Sequence, residues 1–529
     1  MTFLDPTDDQ AEVPDDQLDP AAVSRQLADH PAVDRAVALL RPFPDGRDGL
    51  AAYVVPDPGF VAEQAPDLVS EHVAGWKDVF EHVYGEVKDG TPDDRAFDRS
   101  GWNSSYTGTV MTRAEVGEAI DSIVDQVAAL PHRRVLEVGC GTGMLLFRIA
   151  PDTERYWATD LSGEVLRTIQ HELDASPERY AHVTLLEREG TDFTGFADDS
   201  IDLVLLNSVI QYFPSADYLR QVLREAVRVV RPGGAVFIGD VRDLRLLEVL
   251  HSSVEVFHAD GDARVDEVRR RVRAAVDEEG ELLVDPSFFA ALVTELTGVS
   301  EAGLQLKRGT VANELTKFRY DVTLRVGAEP VTRPYPPAVQ WNPADWGTAA
   351  VDVRLGRGEP RDLLILDVPD SRTAADVATW RALTEAAAEA RLDDLPARDD
   401  LDGETPGDWW AIGRRHGLTV AVTPPRSGAI GRYDVVLSRS GAIPAWVPQT
   451  RRQALSNAPF RHELSDDLAR ELRDFLHERL PEHMVPAHIA ILDEIPLSPD
   501  GTLDVRRLPD PISHAVGSGV EHLPPRSTT

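Results

Sequence analysis

Three glycines at alternate positions, Gly139, Gly141 and Gly143, lie in "VLEVGCGTG" (Val135–Gly143), between an apolar strand-like run and the helix-like "MLLFRIA". Glycine in such a place lets the backbone turn sharply and lets a ligand lie against the main chain. Asp160 closes the next strand-like run, "RYWATD", about twenty residues on, where a carboxylate can accept both hydroxyls of a ribose. A dinucleotide needs the spacing G-x-G-x-x-G, so that a helix N-terminus meets its pyrophosphate. Here the spacing is G-x-G-x-G, and Glu137 stands just ahead of the first glycine. A carboxylate there opposes a diphosphate and suits a ligand carrying a sulfonium and an ammonium group, S-adenosyl-L-methionine. The alternative is a tight strand-to-helix turn that binds nothing. Cys140 reads as a small filler of the loop rather than a nucleophile, because no histidine pairs with it in sequence.

Further residues fall where strands of an open α/β sheet end, which is where such sheets bind ligands. Leu161 follows Asp160. Asp192 and Phe193, in "REGTDF", offer an acceptor and an apolar face for an adenine. "LNSVIQYFPS" (Leu206–Ser215) brings Asn207, Ser208, Gln211 and Tyr212 to the mouth of the sheet. For Tyr212 and Phe213 the alternative is packing at a helix cap, and Gln211 could equally face solvent.

The elements that must position these residues are legible as a pattern. Between Glu115 and Gly239, "RRVLEVG", "RYWATD", "VTLLERE", "IDLVLLN" and "AVFIGD" read as strands with amphipathic helices between most of them. That alternation predicts a parallel sheet covered on both faces. Residues 240–327 add helices and the strand "FRYDVTLRVG". Residues 328–455 carry a second, weaker α/β pattern, set off by the proline-rich "TRPYPPAVQWNPADW". Residues 17–58 hold one helix and two strands, too few to close a core, and residues 456–512 hold a helix and a strand. Residues 1–16 and 513–529 read as tails.

Composition narrows the class. Among 529 residues, acids outnumber bases 90 to 54, for a formal net charge of −36. Such a field repels a phosphate backbone and argues against a nucleic-acid partner. No apolar run reaches the ~20 residues needed to span a bilayer, and the acidic N-terminus lacks a signal-peptide pattern. Cys140 is the single cysteine, which excludes a disulfide framework and a cysteine-rich zinc site. The expectation is a cytoplasmic protein with no membrane partner and no metal site.

The chain resembles the methyltransferase domains embedded in non-ribosomal peptide synthetases. The resemblance rests on "GWNSSYTG" (Gly101–Gly108), "VLEVGCGTGMLL", "LNSVIQYFPS", "RPGGAVFIGDVR" and "NELTKFRYDV" (Asn313–Val322). It extends over about residues 20 to 510, because "HPAVDRAVALL…LAAYVVPD" and "RDFLHERLPEHMVPAHIAILDEIPLSPDGTLD" resemble the two ends of an adenylation domain's small C-terminal subdomain. The resemblance implies a Rossmann-like class I methyltransferase (66–327) with an accessory α/β region (328–455). Both would be inserted into a small α+β subdomain whose halves, 17–58 and 456–512, complete each other.

It also implies N-methylation of the amine of an aminoacyl or peptidyl substrate bound to a carrier protein. Such a methyl transfer is an in-line displacement that depends mainly on positioning. Gln211, Tyr212, Asp240 and Tyr320 are the candidates for orienting the nucleophile, with Trp102 and Tyr106 as a lid over the cofactor. The departures matter too. Thr502 stands where the family's adenylating motif has lysine, and no lysine follows Lys317. Arg506 and Arg507 are no substitute for a flexible ammonium. The large ATP-binding core and a carrier's serine motif are absent from this sequence, so adenylation is expected to be lost and the remnant to serve as a scaffold or docking surface. Two other functions fit the residues: methylation of a free amine or hydroxyl metabolite, and a cofactor-binding scaffold without turnover.

Overall fold

The computed structural model describes residues 18–43, 46–85, 97–99, 101–327, 333–359, 362–396, 403–450, 454–457, 459–492, 495–498, 502–505, 508 and 511. The expected tails, and Asp500, Gly501, Arg506 and Arg507 of the adenylation-like motif, lie outside the described residues. Two compact units are present. One runs to His72 and resumes at Phe460; the other runs from Val73 to Pro459. Among the described residues no helix is long and apolar enough to cross a membrane.

In the smaller unit the helix Pro20–Ala28 starts at Asp19, whose carboxylate accepts from the amides of Ala21 and Ala22, with proline in the first turn where a missing N–H costs nothing. Strands β1 (Val33–Pro42) and β2 (Asp48–Pro56) pair antiparallel. The strand His488–Ile491 adds to β2 in parallel, from His488 beside Ala51 to Ile491 beside Val54. Helix Phe460–His477 contributes Leu468, Leu472 and Leu476, which share one face at a spacing of four. They close a core with Val23, Leu27, Ala52, Val54 and Ile489. Neither sequence segment holds this core alone. Thr502 lies in a turn in which the Ser498 amide donates to its carbonyl at 2.7 Å.

The larger unit is built on a seven-stranded sheet of β3 (Arg134–Val138), β4 (Arg155–Asp160), β5 (Val183–Glu187), β6 (Ile201–Asn207), β7 (Val230–Arg242), β8 (Val299–Leu306) and β9 (Arg319–Val326). The order is β5-β4-β3-β6-β7-β9-β8. Strands β3 to β7 run parallel, and β9 is antiparallel to both β7 and β8. The chain winds outward from β3 to β5 and then restarts at β6 on the other side of β3. That reversal opens a crevice at the carboxyl ends of β3 and β6. Helices cover both faces because the central strands are apolar throughout. Helix Ala216–Val229, for example, is capped by Ser215 and buries Leu219, Val222, Leu223, Ala226 and Val227.

Residues 333–450 form a second sheet in the same unit, from β10 (Ala338–Gln340), β11 (Asp362–Pro369), β12 (Thr419–Thr423) and β13 (Arg432–Ser438), in the order β10-β11-β13-β12. Polar contacts join it to the first sheet's elements. Arg372 donates to the Lys307 carbonyl at 2.9 Å, and Lys317 pairs with Asp376 at 2.9 Å. The chain then returns along residues 281–285. Asp285 N donates to Leu455 O at 2.8 Å, and the Asn457 side chain bonds both Leu283 N and Glu281 O at 2.7 Å. Residues 456 and 457 thus belong with the larger unit, a few residues past the boundary read from sequence.

Candidate active site

At the end of β3, the amides of Gly139 and Cys140 donate to the Thr159 carbonyl at 2.8 and 3.0 Å, which folds the glycine loop back over β4. Gly139, Gly141 and Gly143 take φ values of +73°, +49° and +80°, conformations that L side chains rarely adopt. A Cβ at Gly139 would come within 2.3 Å of Val209 Cγ2, so the loop is a cradle that only glycine leaves open. Asp160 binds the loop from the next strand. Its Oδ2 accepts from Gly141 N and its Oδ1 from Ser162 N, both at 2.9 Å. A carboxylate oxygen can accept more than one donor, so Asp160, which lines the cavity, can still receive a ligand hydroxyl.

Glu137 is 2% exposed and accepts from the Tyr156 hydroxyl at 2.8 Å. Burial drives its carboxyl up to about 8, against the pull of that hydrogen bond and with help from Asp160. Burial also pushes the Cys140 thiol well above its ordinary value, with Asp160 and Glu137 adding to the effect. The thiol stays protonated and is no nucleophile.

Strands β6 and β7 supply the opposite wall. Ser208 and Asp240 both have positive φ, +52° and +66°, a strain that clusters at functional sites. Asn207 Nδ2 donates to Ser208 Oγ at 3.0 Å, and Ser208 Oγ donates to Asp240 at 2.9 Å. Asp240 also receives Arg319, and Lys307 Nζ lies 3.6 Å from it and 3.0 Å from Asp321. Burial works to raise the Asp240 carboxyl, but Arg319 and Lys307 outweigh it and hold the group below its usual range. Asn207 Oδ1 and Gln211 Oε1 are buried acceptors without a partner among the described residues.

Trp102, Glu137, Gly139, Cys140, Gly141, Asp160, Leu161, Asn207, Ser208, Gln211, Tyr212 and Asp240 line one cavity. The "GWNSSYTG" loop that carries Trp102 is pinned by Glu314 of "NELTKFRYDV", which accepts from Ser104 Oγ at 2.8 Å and from the Ser105 amide at 2.9 Å.

Five other expected residues are placed elsewhere. Tyr320 is fully buried in the core, its hydroxyl donating to Val284 O at 2.9 Å. Successive residues of a strand face opposite ways, so it is Arg319 that lines the cavity. Tyr106 is off the cavity, its hydroxyl donating to Ser253 at 3.1 Å and its ring edge-on to Phe257. Phe193 packs in the core beneath the sheet. Asp192 is exposed and caps the Thr194 amide at 2.9 Å. Because β5 ends at Glu187, Arg188 and Gly190 reach the cavity in their place. Gly143 turns the chain into the following helix, packed on Phe147 and Ile169, and does not line the site.

Sequence reasoning missed Trp76, Phe80, Glu281 and Arg319, all of which line the cavity. Trp76, Phe80 and Tyr212 form a ring cluster, with centroids 4.5 Å apart for Trp76–Tyr212, 4.9 Å for Phe80–Tyr212 and 5.7 Å for Trp76–Phe80. Trp76 and Phe80 are one helical turn apart, a signal that reads as an ordinary packing face. Glu281 sits in the acidic run "DEEGELLVD", which reads as a solvated turn.

The glycine cradle, the carboxylate at the end of β4, the acidic group beneath the loop and the unpartnered acceptors fit an adenosyl cofactor with a cationic methionine end. Comparison with known proteins agrees. A family model described as a methyltransferase domain matches residues 136–238. The chain carries a methyltransferase domain on a sheet of class I, Rossmann-like order, and the residues of the site fit S-adenosylmethionine as its cofactor.

Almost its whole length is similar to parts of non-ribosomal peptide synthetases. Chondramide synthase cmdD of Chondromyces crocatus is 36% identical over 566 aligned residues, which cover 100% of this chain and 14% of the synthase. The probable non-canonical synthetase CymA of Salinispora arenicola is 34% identical over 97% of this chain and 6% of its own length. This chain therefore spans only a small part of these relatives. Among solved structures, the N-methyltransferase NodS of Bradyrhizobium japonicum, in complex with S-adenosyl-L-homocysteine, aligns at a TM-score of 0.29. It is 15% identical, over 41% of this chain and 88% of NodS.

Proposed function

We propose that the chain N-methylates the amine of an aminoacyl or peptidyl group held as a thioester on a carrier protein, and that it activates no amino acid itself. The observation that carries this reading is the similarity to peptide synthetases along the full chain, 36% identity covering 100% of it, with the methyltransferase match at 136–238 in its middle. Thr502, in place of the family's lysine, supports the second half of the reading.

When bound, the cofactor supplies an electrophilic methyl group. The glycine loop and Asp160 would hold its adenosine, and Glu137 would face its cationic end. Asn207 and Gln211 offer acceptors on the β6 side, where the incoming amine must arrive with its lone pair in line with the methyl carbon. Arg319 and the Asp240 carboxylate make a fixed dipole at that wall, suited to an acyl carbonyl beside the amine. Tyr212, Trp76 and Phe80 give an apolar wall that excludes water. No metal is needed for this chemistry.

The test compares one aminoacyl group in three forms: on a carrier protein, as a small thioester mimic and as the free amino acid. The expected order of kcat/KM is carrier, then mimic, then free amino acid. Preference for a free amine or for a hydroxyl would favour a tailoring enzyme, and cofactor binding without product on any of them would favour the scaffold.

A further inference from the structure

We propose that Glu281 receives a hydrogen bond from the acceptor amine and then takes its proton. The inference rests on the amine reading above and goes beyond it by assigning the base.

Groups lining the cavity that can accept an N–H include Asn207 Oδ1, Gln211 Oε1, the Asp240 carboxylate and the Glu281 carboxylate. Asn207 and Gln211 can accept a hydrogen bond but cannot hold the proton. Asp240 is engaged by Arg319, Lys307 and Ser208, which make it a weak base. Glu281 is different. Its Oε2 accepts from Arg242 Nη1 at 2.6 Å, and among the described residues its Oε1 receives no hydrogen bond. The segment is held against the nucleophile-orienting turn, because Leu282 N donates to Gln211 O at 2.7 Å. Asn457 Nδ2 fixes the Glu281 carbonyl at 2.7 Å.

Glu279 shares the same arginine and behaves oppositely. It accepts from Arg242 through both oxygens, at 2.9 and 2.8 Å, and lies 3.2 Å from His251 Nε2. Burial works to raise both carboxyls. In Glu279 the attraction of Arg242 and the His251 bond win and pull it down to about 2. In Glu281 burial prevails and the neighbouring Glu279 adds to it, so its carboxyl sits above its ordinary value. Two carboxylates whose environments push them apart have separate duties: Glu279 is the permanent counter-ion of Arg242, and Glu281 can exchange a proton. The titratable or charged groups around Glu281 are Arg242, Glu279, Arg319 and Tyr212.

The step balances. The amine lone pair forms the N–C bond while the C–S bond breaks, its electrons staying on sulfur. One N–H proton of the resulting ammonium passes to Glu281 Oε1, leaving a neutral methylated amine and a neutral carboxylic acid that returns its proton to solvent.

The test uses the full chain with S-adenosylmethionine and a panel of amine and hydroxyl acceptors, including carrier-bound and soluble aminoacyl thioesters. Glu281→Gln should lower kcat about a hundredfold on the best amine, with cofactor affinity and thermal melting unchanged. Glu281→Asp should recover part of the rate, and Glu279→Gln should cost less kcat than Glu281→Gln. The Glu281→Gln deficit should persist above the roughly 7.7–8.0 of an α-amine, because the proton that Glu281 takes is still on the nitrogen after methylation. Full kcat in Glu281→Gln would overturn the role of Glu281 alone. So would equal losses in Glu279→Gln, which would make both residues mere counter-ions. A wild-type enzyme that methylates hydroxyls and no amine would overturn the amine reading, and this assignment with it.

Discussion

The amide of Gly141 donates to the carboxylate of Asp160 across 2.9 Å, tying the glycine loop to the end of the neighbouring strand. One side chain thus shapes the cradle and lines the cavity. Asp160→Ala should weaken S-adenosylmethionine binding by about tenfold or more, the worth of one or two hydrogen bonds to a charged group. Asp160→Asn should lose less, since its oxygen can still accept from one amide. Calorimetric titration of both variants checks this, and NAD should bind to neither the variants nor the wild type.

Lys307 is 1% exposed and is shared between Asp240 and Asp321. Lys307→Met would leave two buried carboxylates with too little compensating charge. Breaking a buried pair in this way costs roughly 3–5 kcal/mol, and urea unfolding should report a loss of that size. A loss below 1 kcal/mol would mean that water already solvates these acids.

Glu137 gives the fold a pH dependence of definite sign. Its carboxyl is raised by burial to about 8 in the folded chain, against roughly 4.3 when unfolded. The folded state therefore holds this proton more tightly. The stability it contributes is fully present below the unfolded value and is lost as pH rises through about 8. Asp160, also raised by burial, acts in the same direction. The urea midpoint of the free protein should fall from pH 5 to pH 9, and less steeply in Glu137→Gln. S-adenosylmethionine should flatten the wild-type slope, because its cationic end favours the carboxylate.

Leu472 is fully buried in the smaller unit with Leu27, Val54 and Ile489. Leu472→Ala should cost about 2–5 kcal/mol in that unit and leave cofactor affinity unchanged, because the glycine loop belongs to the other unit. If the smaller unit also docks a carrier protein, the same variant should slow methylation of a carrier-bound substrate more than of a soluble thioester. Equal rates on the two would leave it a folding support.

Legibility in the sequence followed the range of the interactions. The glycine loop, Glu137 and Asp160 could be read because a strand, a turn and a helix announce themselves locally. Asp192 and Phe193 were misplaced because the polar stretch after β5 hides where that strand stops. Choosing Arg319 over Tyr320 required the register of β9 against β7, in which Val241 lies beside Tyr320 and Arg242 beside Arg319. No local pattern states that pairing. Glu281, Trp76 and Phe80 come from helices and turns outside the strands, and only tertiary packing brings them to the cavity.

Methyl transfer to the nitrogen of a carrier-bound aminoacyl group leaves a product that can be read directly. The most direct measurement is a single incubation of the full chain, a trideuteromethyl-labelled S-adenosylmethionine and a carrier protein loaded with an aminoacyl thioester, followed by mass spectrometry of the released acyl group. A labelled methyl group is expected on the α-nitrogen, with fragment ions placing the label there and none on oxygen. Label on a hydroxyl, or a carrier-bound acyl group left unlabelled while a free metabolite is methylated, would contradict it.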